Sequence, residues 1–223
     1  MTVTVAGIVE NLRTGTTDPW TWSHNTGTTS PEGVVVMICH GTENTDLVVS
    51  VTYGGVAMTR VQTNQDTTTE PGRSYIYFLG SGVPTGTQTV SVDLTSATTT
   101  DIFGISYTLD GADNLEVVDH GGVDNNTANP SVTLSYGGRT CMAFSILYSG
   151  LTDQTSLTTG ASCTKDSTTD FSGNFTCAPE HQTTAGSSDF AIGWTAATDD
   201  VAYSAIAVSE IITVPLPLQG KMM

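Results

Sequence analysis

Hydrophobic and polar residues alternate in short segments along most of the chain, with breaks rich in Gly, Pro, Asn or Thr between them. Thr87–Leu94 is the clearest segment, because Val90, Val92 and Leu94 occupy every second position. A period of two places alternate side chains on opposite faces of a β-strand. No segment of about twelve residues shows a convincing 3.6-residue apolar period, so the pattern predicts an all-β protein.

Two features indicate how the strands are arranged. The continuous apolar run Val34–Cys39 is typical of a central strand that is buried on both faces. Gly54 and Gly55 separate the strand-like runs Leu47–Tyr53 and Val56–Val61. They predict a tight hairpin, because the turns that suit hairpins require positive φ.

Further strand-like segments are separated by turn residues at short spacing, which predicts a β-sandwich or β-barrel. They are Val3–Val5, Trp20–Ser23, Ser74–Leu79, Ile102–Leu109, Val117–His120, Val132–Leu134, Thr140–Tyr148, Phe190–Trp194 and Val201–Val214. Val117–His120 is expected to be a short edge piece. Residues 152–188 are polar and poorly periodic, so they are expected to form an elaborated hairpin or long loops with about two weak strands.

The domain organisation follows from the absence of an internal linker. No Gly/Ser-rich or Pro-rich stretch interrupts the interior, so residues 1–214 are predicted to form one β-sandwich domain.

Residues 215–223 form a tail in which Pro215 and Pro217 exclude helix and favour extended backbone. The tail is predicted to dock on a neighbouring subunit; packing on its own sandwich is the alternative. Its apolar residues are Val214, Leu216, Leu218, Met222 and Met223.

The charge of the chain limits its partners. It has 22 Asp+Glu against 6 Lys+Arg, a formal net charge of -16, which opposes binding to nucleic acid or to an anionic membrane. No segment is long and apolar enough for a membrane helix, and the N-terminus lacks the features of a secretion signal. Loop carboxylates could bind calcium, but turn propensity explains them equally well and no EF-hand spacing occurs, so no cofactor is predicted. The candidate ligands are Asp110, Asp113, Asp124, Asn125, Asn126, Asp199 and Asp200.

No catalytic motif occurs among the residues that usually perform catalysis. The four histidines have no metal-ligand spacing, and neither a Gly-x-Ser-x-Gly elbow nor a phosphate-binding loop is present. The chain is therefore predicted not to be an enzyme. A hydrolase whose two carboxylates meet only in the folded protein is a further alternative.

Four cysteines and three tryptophans leave alternatives open. Cys39 and Cys141 lie in apolar runs and are interpreted as small buried side chains. Cys163 and Cys177 flank a polar stretch, and whether a disulfide joins them is left open. Trp20 and Trp22, with Trp194, could stack on a sugar or could belong to the core.

Several segments resemble, in the same order, Thr/Gly-rich jelly-roll-like β-sandwich domains of tailed-bacteriophage virion proteins and bacterial surface proteins. These segments are Val51–Thr59 (VTYGGVAMT), Tyr75–Leu79 (YIYFL), Val83–Thr87 (VPTGT), Gln88–Val92 (QTVSV) and Ala202–Val208 (AYSAIAV). Residues 110–128 and the region of Cys163 and Cys177 depart from the family pattern.

The resemblance implies an antiparallel, jelly-roll-like β-sandwich. It also implies a virion structural protein, either a head-decoration (cement) protein or a tail or fibre component. Such a protein acts by docking on other virion subunits, as a homo-oligomer or bound to the capsid or tail, in a virion assembled in the host cytoplasm. The alternative, suggested by the tryptophans, is a carbohydrate-binding or adhesin module of a bacterial or phage surface protein that binds a host glycan, with Trp20 and Trp22 facing the sugar.

Overall fold

The computed structural model describes residues 2–41, 44–95, 101–111, 114–150, 157–171 and 175–211, without the side chains of residues 125, 126 and 170. Within these ranges the regular structure consists of β-strands with no helix, so the all-β prediction is confirmed. In the first half the strands are β1 (Thr4–Arg13), β2 (Trp20–Asn25), β3 (Gly33–Gly41), β4 (Val48–Tyr53), β5 (Val56–Ala57), β6 (Thr59–Asp66), β7 (Gly72–Leu79), β8 (Thr87–Leu94) and β9 (Ile102–Asp110). In the second half they are β10 (Leu115–Thr127), β11 (Ser131–Leu134), β12 (Cys141–Ser149), β13 (Thr158–Thr159), β14 (Cys163–Lys165), β15 (Thr169–Phe171), β16 (Phe175–Gln182), β17 (Phe190–Thr195) and β18 (Asp199–Glu210).

The strands form antiparallel sheets that pack face to face. In the first half, an outer sheet with the order β2-β8-β4-β5 covers an inner sheet with the order β1-β9-β3-β7-β6. In the second half, the inner sheet has the order β10-β18-β12-β16-β14, with β15 also paired to β16, and the outer sheet has the order β11-β17-β13. The two inner sheets face each other, so the molecule consists of two β-sandwiches packed back to back.

Three apolar cores separate these layers. The first-half core contains Trp22, Val36 and Tyr77, and the second-half core contains Leu147 and Trp194. Between the inner sheets lies a middle core to which both halves contribute. Strands β3 and β12 are buried along their whole lengths, because each belongs to an inner sheet with a core on both faces. This burial confirms the central strand predicted for the apolar run that begins at Val34.

The two halves have the same strand order. In the inner sheets β1, β9, β3, β7 and β6 correspond to β10, β18, β12, β16 and β14, and in the outer sheets β2, β8 and β4 correspond to β11, β17 and β13. A β-bulge lies at the matching place in both first strands, between Val5 and Gly7 in β1 and between Val117 and Asp119 in β10. An irregularity at the same step of the same strand is a specific feature. The chain is therefore an internal duplication, which the sequence pattern alone did not indicate.

The second half corrects two expectations. The expected short edge piece Val117–His120 belongs to β10, a strand of 13 residues. Residues 152–188, expected to be an elaborated hairpin or loops, contain β13 to β16, and β16 is a mostly buried member of the inner sheet. The alternation of apolar and polar residues did not predict β16, because polar residues such as Glu180 and Gln182 point into the second half instead of into solvent.

A disulfide joins the halves. Cys39 in β3 pairs with Cys177 in β16, with a Cα–Cα distance of 6.3 Å and a sequence separation of 138 residues. Cys39 is therefore not the unbridged core side chain that the sequence suggested, and the pairing of Cys163 with Cys177 does not occur. Cys141 and Cys163 have free thiols, the first buried and the second partly exposed. The bond crosses the middle core, so it fixes one sandwich to the other.

Candidate functional site

Two of the large apolar side chains that remain exposed lie on one edge strand. Ile8 is 43% exposed and Leu12 is 49% exposed, and both lie on β1, with the exposed Glu10 between them. Strand β1 pairs with β9 and forms one edge of the first inner sheet. We call Ile8, Glu10 and Leu12 the β1 rim. Unpaired edges with apolar side chains are the surfaces on which strands from other chains assemble.

The β1 rim lies on the face of the first inner sheet that is directed towards the middle core. Ile8 lies opposite Tyr107 of β9, and Leu12 lies opposite Phe103. Directly opposed residues in an antiparallel pair point to the same face. Tyr107 and Phe103 are fully buried in the middle core, whereas their neighbours on β1 are not.

The duplication supplies a matched comparison for this edge. When the sequences of β1 and β10 are aligned at their bulges, Ile8 corresponds to His120 and Leu12 corresponds to Asp124. The counterpart edge is thus polar where β1 is apolar. Strand β6 of the first half packs against β10 and β18, with His120 Nδ1 2.7 Å from Gln62 Oε1, but His120 and Asp124 remain exposed.

The strands at the corresponding edges of the two inner sheets, β6 and β14, differ in length. The counterpart of β6 in the second half is β14, which has 3 residues where β6 has 8. The segment after β14 contacts β9, the strand next to β1, where the Tyr107 hydroxyl donates a 2.7 Å hydrogen bond to Asp166 Oδ2. Among the described residues, the second half therefore presents a shorter strand towards the first inner sheet than the first half presents towards the second.

The same Asp166 belongs to a polar network at a crevice between the halves. Its two carboxylate oxygens lie 2.9 Å from Nδ1 of His181, which orients the imidazole ring. The crevice is about 300 Å³ in volume and is lined by Thr2–Val5, Met142, His181 and Thr183–Ala185. A carboxylate-oriented histidine is part of a nucleophilic triad, but no Ser or Cys is among these lining residues. The network therefore acts here as a link between the sandwiches.

A second network is buried completely. His24 Nδ1 lies 2.7 Å from Ser106 Oγ, and the same hydroxyl oxygen accepts a 3.0 Å hydrogen bond from Trp22 Nε1. Burial lowers the pKa of His24 to about 4, so the ring is neutral at pH 7. The His24 and Ser106 side chains have no exposed surface and cannot reach a substrate.

Burial also overturns the glycan-facing assignment of the tryptophans. Trp20 is 3% exposed and Trp22 is 5% exposed, and both belong to the first-half core. Their rings lie over Gly104, where an added Cβ would come within 2.5 Å of Trp20 Cη2. Trp194 is 2% exposed and belongs to the second-half core. None of the three rings offers a face to a sugar.

The acidic residues do not converge on a metal site. Within the described ranges, no group of three or more His, Cys, Asp or Glu side chains is placed to hold a metal ion. Asp110 instead accepts a 3.0 Å hydrogen bond from Thr28, and Asp200 accepts one of 3.2 Å from the Glu70 backbone N–H. Asp113 lies outside the described residues, as do the side chains of Asn125 and Asn126.

The remaining predicted residues have different outcomes. Gly54 and Gly55 have φ of 56° and 81° at the turn between β4 and β5, the positive values that the hairpin requires. The tail residues Val214, Leu216, Leu218, Met222 and Met223 lie outside the described residues. No helix in the described part of the chain is long and apolar enough to cross a membrane.

Comparison with known proteins adds no relative. No protein-family model matches the sequence, and searches of curated proteins and of solved structures found no match.

Proposed function

We propose that the chain is a structural subunit of a larger assembly, of the kind found in the virions of tailed bacteriophages, and that it acts by docking through the β1 rim. Its partners are further copies of itself and other virion subunits, as a head-decoration, tail or fibre component. The exposed pair Ile8 and Leu12 supports this proposal best, because these apolar side chains lie at a sheet edge whose counterpart carries polar residues at the same positions.

The strand order also supports the jelly-roll-like part of the prediction. In each half the first strand of the inner sheet lies beside the last, as in β1-β9 and β10-β18, and the next strands alternate between the two sheets. Such interleaving is the result of two Greek keys wound together, as in the jelly rolls of viral capsid proteins. Catalysis is not part of the proposal, because the polar networks at His24 and at His181 join strands and halves.

Sedimentation velocity over a range of protein concentrations tests the proposal. We expect the wild-type chain to associate, and the double variant Ile8→Asp/Leu12→Asp to remain monomeric with an unchanged melting temperature. A matched control is Val49→Asp/Val56→Asp, which changes two similarly exposed valines on the outer sheet. A wild-type chain that stays monomeric throughout, or a rim variant that associates like the control, would contradict the proposal.

A further inference from the structure

The β1 rim has the geometry of a place for one added strand. In the described part of the chain β1 pairs with β9 alone, and its exposed residues Ile8 and Leu12 lie opposite Tyr107 and Phe103 of the middle core. In the other half β6 packs against β10, and the corresponding positions hold the polar residues His120 and Asp124. A strand laid beside β1 would extend the sheet by backbone hydrogen bonds and cover the two side chains, which is how an extended peptide binds a sheet edge.

We propose that the occupant is the C-terminal segment 214–218 of a second copy of this chain. This inference rests on the proposed function and names its partner. The segment reads Val214-Pro215-Leu216-Pro217-Leu218. Alternate residues of a strand direct their side chains to one face, so one valine and two leucines share a face that matches the apolar rim.

The prolines suit an added edge strand and are incompatible with a central strand of a sheet. Proline has no backbone N–H, so it is confined to positions that do not donate to a neighbouring strand. When Val214, Leu216 and Leu218 direct their N–H groups towards β1, Pro215 and Pro217 face away from it. The outer edge of the added strand then lacks donors at both prolines, which prevents a further strand from pairing.

Charge permits this contact on an otherwise acidic molecule. Residues 212–223 contain Lys221 and no Asp or Glu, in a chain with 22 acidic residues. The β1 rim carries one exposed carboxylate, that of Glu10. Two copies that each repel the other through their net charge can therefore meet at this segment without added repulsion.

The end of the described chain favours a second copy over the tail's own sandwich. The N–H of Ile211 donates a 3.1 Å hydrogen bond to Asn114 O, and that of Leu115 donates one of 2.8 Å to Gly80 O, at the end of β7. Between β7 and β1 the sheet order places β3 and β9, so the tail's own β1 is three strand spacings away. Three spacings are about 14 Å, which about four extended residues would span. Those four residues would include Val214 and Pro215. Only residues 216–218 of the segment would then be left to pair with β1.

A photocross-linking experiment identifies the occupant. Leu12 is replaced by the photoreactive residue benzoylphenylalanine in an unlabelled chain, which is mixed with ¹⁵N-labelled wild-type chain and irradiated. We expect mass spectrometry to find cross-links from position 12 to residues 212–218 of the labelled copy. The same probe at Asp124, the counterpart position on β10, is the control and should give no cross-link to the tail.

A deletion separates this inference from the proposal on which it rests. Removing residues 214–223 should weaken self-association at least tenfold and leave the melting temperature unchanged. Cross-links confined to a single copy, or none to the tail, would overturn the inference. Association that survives the deletion but is abolished by Ile8→Asp/Leu12→Asp would also overturn it, while the docking function of the β1 rim would stand.

Discussion

At the scale of single residues, several polar side chains are buried in the protein, and the loss of their contact with water must be compensated. Glu180 is fully buried, and one of its oxygens accepts a 2.8 Å hydrogen bond from Ser145 Oγ. Burial is the main cause that raises the pKa of Glu180 from 4.5 to about 8. His24 and His40 shift in the opposite direction, because burial lowers their pKa values from 6.5 to about 4 and about 3.

Glu180→Gln should change the pH dependence of stability. A carboxyl group with a raised folded-state pKa stabilises the fold below its unfolded pKa, and that stabilisation is lost as pH rises from about 4.5 to about 8. The variant stays neutral, so its melting temperature minus that of the wild type should increase across this window. The histidines cancel in the difference, since both proteins contain them. A flat difference, equal to that of the exposed control Asp93→Asn, would show that Glu180 does not titrate in this way.

The hairpin glycines should differ in their tolerance of a side chain. Both have positive φ, but a Cβ on Gly54 would also meet Gln88 Oε1 at 2.6 Å and Pro84 Cγ at 3.0 Å, whereas a Cβ on Gly55 would meet nothing within 4 Å. Gly55→Ala should cost about 1 kcal/mol, and Gly54→Ala should cost more. Urea unfolding measures both, with Gly15→Ala as the control because its surroundings are open. Equal midpoints for Gly54→Ala and Gly15→Ala would exclude this turn geometry.

At the scale of the elements, strands with a regular apolar pattern were predictable in both halves, whereas β13 to β16 were not. Strands β8 and β3 follow directly from alternation and from a continuous apolar run, because each faces a core of ordinary composition. Strand β16 was not predicted from the hydrophobic pattern because its residue Glu180 is polar and yet buried. The sequence indicated the β1 rim only weakly, because the acidic Glu10 lies between Ile8 and Leu12 on the same face of the strand. Only the sheet order shows that this face lies at an uncovered edge.

The disulfide between β3 and β16 should contribute substantially to stability. A bond that closes a loop of this length limits the unfolded chain, and its loss is worth roughly 2–5 kcal/mol. Cys39→Ser and Cys177→Ser should therefore lower the urea midpoint to about the same extent as each other, and Cys163→Ser should not. Peptide mapping of the unreduced protein should recover a fragment that links residues 39 and 177. Free thiols at both positions in the folded protein would refute the pairing.

At the scale of the whole molecule, duplication explains both the stability and the asymmetry of the fold. Two sandwiches with the same strand order share a middle core, which neither could bury alone. The copies then differ in one edge, because β14 is shorter than β6. The sequence pattern gave no indication of the duplication, since the matching positions are occupied by different residues, such as Ile8 and His120. The predicted division at residue 214 falls outside the described part of the chain and stays a prediction.

Amide hydrogen exchange of the full chain, below and above the concentration at which it associates, tests the central claim most directly. Exchange of a strand amide slows when another strand bonds to it or covers it. The account predicts that amides of residues 8–12 in β1 become at least tenfold slower on association, while those of residues 120–124 in β10 keep their rates. Unchanged exchange in β1 on association, or slowing confined to β10, would contradict docking through the β1 rim.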